Sequence, residues 1–332
     1  MSDLSARLRP PLAPADPSRR RRAGLGSALA VAAVLPGCAS TPAAPARFEG
    51  LDDGVDLPIT WLSLPRPAPL PPLDHAALLV PVRFGGPGSH VFYLQFDLGH
   101  PSTVLYANKW AGIAERYGLP ATGPRLASLD FLLGESRVRG RDLALLPREG
   151  AGVDWGRDVE LVGTLGADLI DGRAVLLDFQ RDRIRLARDR GGLHGPGAHF
   201  QPFSFSGRRI LMPVEFDGQR KTVMYDSGSS AFAWLTDEKT CQRLARPGSE
   251  VVSYPVRSWG QVLTAHSVDT DAVARIGAVE LPLGQISHIQ GMGLLQEMAI
   301  SGLGVGGLVG NKLFLGRRLV VDTRRLEIAV EP

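Results

Sequence analysis

The chain contains the same short pattern twice. An apolar run over residues 91–96 ends in Asp97-Leu98-Gly99, and a second apolar run over residues 222–225 ends in Asp226-Ser227-Gly228. An acid followed two residues later by glycine, directly after a strand-like run, is typical of a tight turn that presents a carboxylate at the end of a β-strand. Two such turns placed face to face would bring two carboxylates together.

The repetition extends well beyond these turns. Residues 165–178 align without a gap on residues 309–322, at a constant offset of 144 residues. Leu, Gly, Arg and Asp recur at matching positions of the two segments. Residues 81–84 match residues 213–216 at an offset of 132, whereas the two acids are 129 apart. A changing offset indicates two copies of one structural unit with loops of different length.

These residues resemble the aspartic proteases of the pepsin and retropepsin type. That family carries an Asp-Thr/Ser-Gly turn in each half and, later in each half, two apolar residues followed by glycine. Residues 164–166 and 308–310 have that second pattern, and the resemblance covers about residues 77–330. It implies a mostly β, two-lobed fold with a pseudo-two-fold repeat and short helices, with lobes over residues 75–190 and 191–332.

The resemblance also implies roles for individual residues. Asp97 and Asp226 are the expected catalytic dyad. The residues expected to support the dyad are Gly99, Ser227, Gly228 and Ser229. A hairpin predicted over residues 126–146 is the expected flap, and the flap candidates are Phe131, Leu132, Leu133, Gly134 and, in a second turn, Trp259.

The first turn departs from the family pattern. Leu98 and His100 stand where the second turn has the hydroxyl groups of Ser227 and Ser229. A protonated His100 would also place a positive charge beside Asp97 and favour its ionised form. The hypothesis is therefore an aspartic endopeptidase that acts on extended peptides, because two adjacent carboxylates can share one proton and act as acid and base. The alternative is a catalytically silent protein that binds a peptide or protein partner in the same groove.

The N-terminal part predicts export and anchoring. A basic segment and a short apolar run precede Cys38, as in a bacterial lipoprotein signal peptide over residues 1–37, and the run is too short to span a membrane. An uncleaved tail or a plain signal peptide is the alternative. Residues 38–74 are rich in Pro and Ala and predict a lipidated cysteine followed by a tether. The expected location is the cell envelope, on the outer membrane facing the periplasm.

Charge and composition exclude other classes of function. The formal charge of +3 depends on residues 1–22, which carry six Arg and two Asp, so the remainder has a formal charge of −1 and no electrostatic case for nucleic acid. The seven histidines show no metal-ligand spacing, and a glycine-rich stretch at 302–307 lacks the strand and helix of a nucleotide site. We predict no metal or cofactor, no required oligomer, and a buried structural thiol at Cys241.

Overall fold

A computed structural model describes residues 45–121, 123–258, 261–290 and 306–332, and these residues are mostly β. The strands are β1 (Arg47–Glu49), β2 (Val55–Pro58), β3 (Thr60–Leu64), β4 (Leu73–Arg83), β5 (Phe92–Phe96), β6 (Val104–Tyr106), β7 (Arg125–Leu133), β8 (Ser136–Leu146), β9 (Leu161–Leu165), β10 (Ala174–Asp178), β11 (Arg183–Ala187), β12 (Gln201–Pro202), β13 (Ile210–Phe216), β14 (Gln219–Tyr225), β15 (Val252–Ser258), β16 (Gln261–Ile276), β17 (Val279–Gln290), β18 (Leu308–Val309), β19 (Arg318–Asp322) and β20 (Glu327–Glu331). The α-helices are α1 (Ala107–Tyr117) and α2 (Glu238–Leu244), and 3-10 helices occupy Ala167–Ile170, Ser206–Arg208, Ser227–Ser229 and Asn311–Phe314.

The first unit is built around the strand that ends at Asp97. The hairpin β4–β5 brings β5 into the sheet, where β9 pairs with it in parallel and β6 pairs with β9 on the other side. The hairpin β7–β8 joins this sheet through β4 and β6. Its predicted bounds, 126–133 and 136–146, are confirmed within one residue.

The second unit repeats this arrangement. The hairpin β13–β14 leads to Asp226, β18 pairs with β14 in parallel, and Leu235 makes isolated bridges to Leu308 and Ser287 in the place of β6. The hairpin β16–β17 corresponds to the hairpin β7–β8, since β16 pairs with β13 as β7 pairs with β4. Both turns contain a glycine with positive φ, Gly277 at 60° and Gly134 at 59°. The strand β15 is an addition, because among the described residues nothing in the first unit corresponds to it.

A six-stranded sheet joins the units in the order β12-β20-β19-β10-β11-β2. Its two central strands, β10 and β19, are the repeated segments, and Leu176 is paired with Val320, which follows it by the repeat offset of 144. Two repeat-equivalent residues that lie opposite each other in an antiparallel strand pair are related by a local two-fold axis. The two repeated strands therefore meet at such an axis.

The tether prediction is wrong for part of its length. Within residues 38–74, β1 pairs with β8, β2 extends the joining sheet, and β3 pairs with β4. The indole of Trp61 donates a hydrogen bond to Asp182 at 2.7 Å. Alternating buried and exposed positions in β2 show why a Pro- and Ala-rich composition did not prevent packing.

The two α-helices of the described ranges have clear ends. Trp110, Ile113 and Ala114 form the buried face of α1, and Gly118 ends it at φ 63°. In α2 the cap is Asp237, which accepts from the Thr240 amide at 2.8 Å. Cys241 is buried as predicted, and burial raises the pKa of its thiol to about 12. None of the helices in the described ranges is long and apolar enough to cross a membrane.

Candidate active site

The repeated apolar-apolar-Gly segments hold the two acid turns in place. The Asp97 amide donates to the Leu165 carbonyl at 2.9 Å, and the Asp226 amide donates to the Val309 carbonyl at 2.9 Å. These two bonds are related by the repeat. Each acid therefore ends its strand at the same position relative to the parallel neighbour.

The glycines of these segments are required by close backbone contact. A Cβ atom at Gly166 would lie 2.8 Å from the His100 carbonyl oxygen, and one at Gly310 would lie 2.0 Å from the Ser229 carbonyl oxygen. Neither distance is compatible with a side chain, because the obstructing atoms belong to the backbone. This contact explains why the pattern ends in glycine in both copies.

The two turns face each other across the axis. A Cβ atom at Gly99 would lie 2.2 Å from Oδ1 of Asp226, and one at Gly228 would lie 2.5 Å from Cγ of Asp97. Each glycine thus packs against the acid of the other turn. Both carboxyl groups are fully buried, and they lie close enough that the charge of Asp226 raises the pKa of Asp97. The predicted pair of acids is brought together.

One hydroxyl group ties the turns together. Oγ of Ser227 accepts from the Leu98 amide at 2.8 Å and donates to the Phe96 carbonyl at 2.9 Å. Leu98, at the matching position of the first turn, has no hydroxyl group and cannot make the equivalent bonds to the second turn. Its side chain is buried in the main apolar core. The hydroxyl group that links the turns therefore comes from the second turn alone.

The hydrogen bonds to the two acids differ. Asp226 accepts from the Gly228 amide at Oδ1 and from the Ser229 hydroxyl at Oδ2, each at 2.8 Å. Asp97 accepts from the amides of Gly99 and His100, both at Oδ1, at 3.0 and 3.1 Å. Its Oδ2 is buried and has no hydrogen-bond partner among the described residues.

Burial raises the pKa of both carboxyl groups. It raises the pKa of Asp226 to about 6, against the opposing effect of its hydrogen-bond donors. It also raises the pKa of Asp97 well above the usual value, and the nearby charge of Asp226 adds to the shift. Two adjacent buried carboxyl groups titrate as a pair, so one of them keeps a proton while the other is ionised.

The expectation that His100 adds a positive charge is wrong. Burial lowers the pKa of its imidazole, and Nδ1 bonds to the Ser102 carbonyl. His100 acts on Asp97 through its backbone amide, which the sequence alone could not reveal.

The first flap candidates do not cover the dyad. Phe131, Leu132 and Leu133 are buried, and Leu133 pairs with Val82 of β4. Gly134, at the turn, lies against β2, where a Cβ atom would be 2.9 Å from the Leu57 side chain. This prediction was wrong because the alternating pattern of a core hairpin and that of a flap are the same in sequence. Trp259 and most of the glycine-rich stretch at 302–307 lie outside the described residues.

Sequence reasoning missed a buried polar group behind the second turn. Asn311 accepts from the Tyr225 hydroxyl at 2.6 Å and donates to the Ser227 carbonyl at 3.0 Å and to Oγ of Ser230 at 2.6 Å. Asn311 aligns with Ala167 of the first copy. A polar residue opposite an apolar one in the repeat was the available signal.

In the described ranges no group of three or more His, Cys, Asp or Glu side chains could hold a metal ion. Comparison with known proteins gives no assignment: no family model matches the chain, and no curated protein matches it at a significant level. The chemistry of the site rests on its own geometry.

Proposed function

We propose that the chain is an aspartic endopeptidase of the pepsin and retropepsin type that hydrolyses extended peptides. The observation that carries this proposal is the reciprocal packing of Gly99 against Asp226 and of Gly228 against Asp97. A turn aspartate in isolation caps its own turn. Two such turns with each acid against the other turn's glycine form a carboxyl pair that neither copy could build alone.

The proposed reaction uses one proton and one negative charge. Asp226, ionised, accepts a proton from a water molecule as its oxygen attacks the peptide carbonyl carbon. Asp97 donates its proton to the carbonyl oxygen, which gives a tetrahedral diol. Asp226 then gives its proton to the leaving nitrogen while Asp97 regains one from the diol, and the C–N bond breaks. The cycle consumes one water molecule and returns both acids to their starting states.

A second candidate is a protein that binds extended peptides without cleaving them. Leu98 favours it, because the link between the turns has one hydroxyl group where the resembled family has two. The full burial of both acids also favours it, since a substrate must reach them. Retention of both acids and both glycines favours the enzyme.

The variant Asp226→Asn distinguishes the endopeptidase from the peptide-binding protein. The amide cannot accept and return the proton, so the variant is expected to lose at least 100-fold of the cleavage rate on an unstructured peptide library, followed by mass spectrometry, with its thermal unfolding cooperative. Asp322→Asn, a buried acid in the joining sheet, is the matched control and should keep the activity. Equal cleavage by the wild type and Asp226→Asn would contradict the enzyme. No cleavage by the wild type, with unchanged peptide binding in Asp226→Asn, would support the binder.

Leu98→Thr tests the one-sided link. A hydroxyl group at position 98 can repeat the bonds that Ser227 makes, so the variant is expected to cleave several-fold faster than the wild type. Leu98→Val is the control, because valine has the shape of threonine without the hydroxyl group. A gain shared by both variants would mean that side-chain size, and not the missing hydroxyl group, limits the rate.

A further inference from the structure

A proline-rich segment of the first unit covers an apolar surface of the second. We call residues 64–73 the strap. Leu73 belongs to an apolar cluster, and Leu64 and Leu70 pack against it. Apart from Leu73 and Ala76, the buried members of this cluster come from the second unit: Met224, Ala231, Phe232, Leu235, Tyr254, Val256, Leu263, Ala265 and Leu308.

The strap is held by few side chains. The guanidinium of Arg66 lies over the Tyr254 ring, 5.0 Å from its centre, and the leucines supply the apolar contacts. The bonds that shape the strap are internal, from Arg66 Nε to the Pro71 carbonyl at 2.7 Å and from the Leu70 amide to the Pro67 carbonyl at 3.0 Å. All five prolines of the strap are exposed. A segment with this few anchors can leave its surface without unfolding the sheets beneath.

The covered surface borders the dyad. Met224 lies two residues before Asp226, and the Phe232 amide bonds to the Ser229 carbonyl at 3.1 Å, directly after the turn. The strap continues into β4, whose residues contact the 3-10 helix Ser227–Ser229. Both acids are without exposed area in this arrangement. A peptide that approaches Asp226 along this surface meets the strap first.

We propose that the strap is an intramolecular ligand that occupies the sites for apolar side chains of a leucine-containing peptide, and that it must leave before such a peptide reaches the dyad. This inference rests on the proposed function for the identity of the groove. The strap is a turn-containing loop between two paired strands, so its leucines, and not an extended backbone, make the contacts. These leucines identify the side chains that the surface formed by Tyr254, Val256 and Leu263 accepts.

The pairing of β3 with β4 allows the strap to be removed while the two strands stay connected. Leu64 pairs with Leu73, so replacing residues 65–72 with Asn-Gly closes a two-residue hairpin turn and removes Arg66 and Leu70. The probe is a fluorescent synthetic peptide with the sequence of residues 63–74. In an Asp226→Asn background, which excludes cleavage, the shortened chain is expected to bind the probe at least 10-fold more tightly than the full chain. Leu70→Ser should give a smaller gain, and Ala68→Ser, at an exposed strap position, none.

The two proposals fail separately. Equal affinity for the probe in the full chain, the shortened chain and Leu70→Ser overturns the strap, whatever the cleavage assays give. Tighter binding after strap removal, with no cleavage of a peptide library by the shortened chain with Asp226 intact, supports the strap and overturns the endopeptidase. If the shortened chain does not fold, Leu70→Ser against Ala68→Ser carries the same comparison.

Discussion

At the residue scale, the two acids differ because their donors differ. The Ser229 hydroxyl group donates a hydrogen bond to Asp226. At the matching position of the first turn, the backbone amide of His100 donates to Asp97, and the imidazole bonds to the Ser102 carbonyl. Hydrogen bonds to the charged form lower a carboxyl pKa, and burial raises it. The two acids of the pair therefore differ in the donors that favour their charged forms.

The raised pKa of Asp226 predicts a stability change with pH. Its pKa rises from 3.8 to about 6, so the native state binds more protons than the unfolded state between these values, and stability falls as the pH rises through this range. The loss amounts to about 3 kcal/mol from the shift of roughly two units. The unfolding free energy of Asp226→Asn minus that of the wild type should therefore increase by about this amount from pH 4 to pH 7. Urea unfolding at several pH values measures it.

A control with the opposite sign is available. Arg243 lies 2.7 Å from Asp217 and lowers the pKa of that carboxyl group by hydrogen bonding. Asp217→Asn should therefore cost stability at pH 7 and less as the pH falls. A pH-independent difference for Asp226→Asn would show that its carboxyl group is not held in the environment described.

At the element scale, the sequence predicted the elements that occur in both copies of the repeat. It missed strands β2 and β3 and the position of the flap. The repeated Asp-x-Gly and apolar-apolar-Gly segments, the two strands before the acids and the hairpin over residues 126–146 followed from periodicity and spacing. The flap did not, because β7 and β8 alternate in the same way whether they cover a cleft or line the core. Strand β2 was missed because proline-rich composition hid a short alternating segment whose partner, β11, lies more than one hundred residues away. Strand β3 was missed although its partner, β4, follows it directly in the chain.

The packing of the two turns predicts a severe effect of one methyl group. In Gly99→Ala the added Cβ would lie 2.2 Å from Oδ1 of Asp226, so the turns must separate. We expect a loss of about 1 to 3 kcal/mol of stability from overpacking a buried contact, measured by chemical unfolding, together with loss of any cleavage activity. Gly112→Ala is the control. That position lies in α1 with its nearest neighbour atom 3.8 Å away, and alanine there should stabilise the helix by up to about 1 kcal/mol. Equal effects at the two sites would contradict the close approach.

At the scale of the whole molecule, attachment to the envelope stays a prediction, because Cys38 lies outside the described residues. Cys38→Ser is expected to move the protein from the membrane fraction to the soluble fraction, since lipid on this residue is the proposed anchor. Fractionation followed by immunoblotting measures it, and Cys241→Ser, which removes the buried thiol, is the control. Membrane retention of Cys38→Ser would show another means of attachment.

The pairing of Leu176 with Val320 across the axis also bears on how the site could diverge. A dimer of two identical chains would change both turns with every substitution, so a leucine at position 98 would remove both linking hydroxyl groups at once. In a single chain that carries both copies, one turn can lose its hydroxyl groups while the other keeps Ser227 and Ser229. Two copies in one chain thus permit the two aspartates to have different hydrogen-bond donors within one shared site.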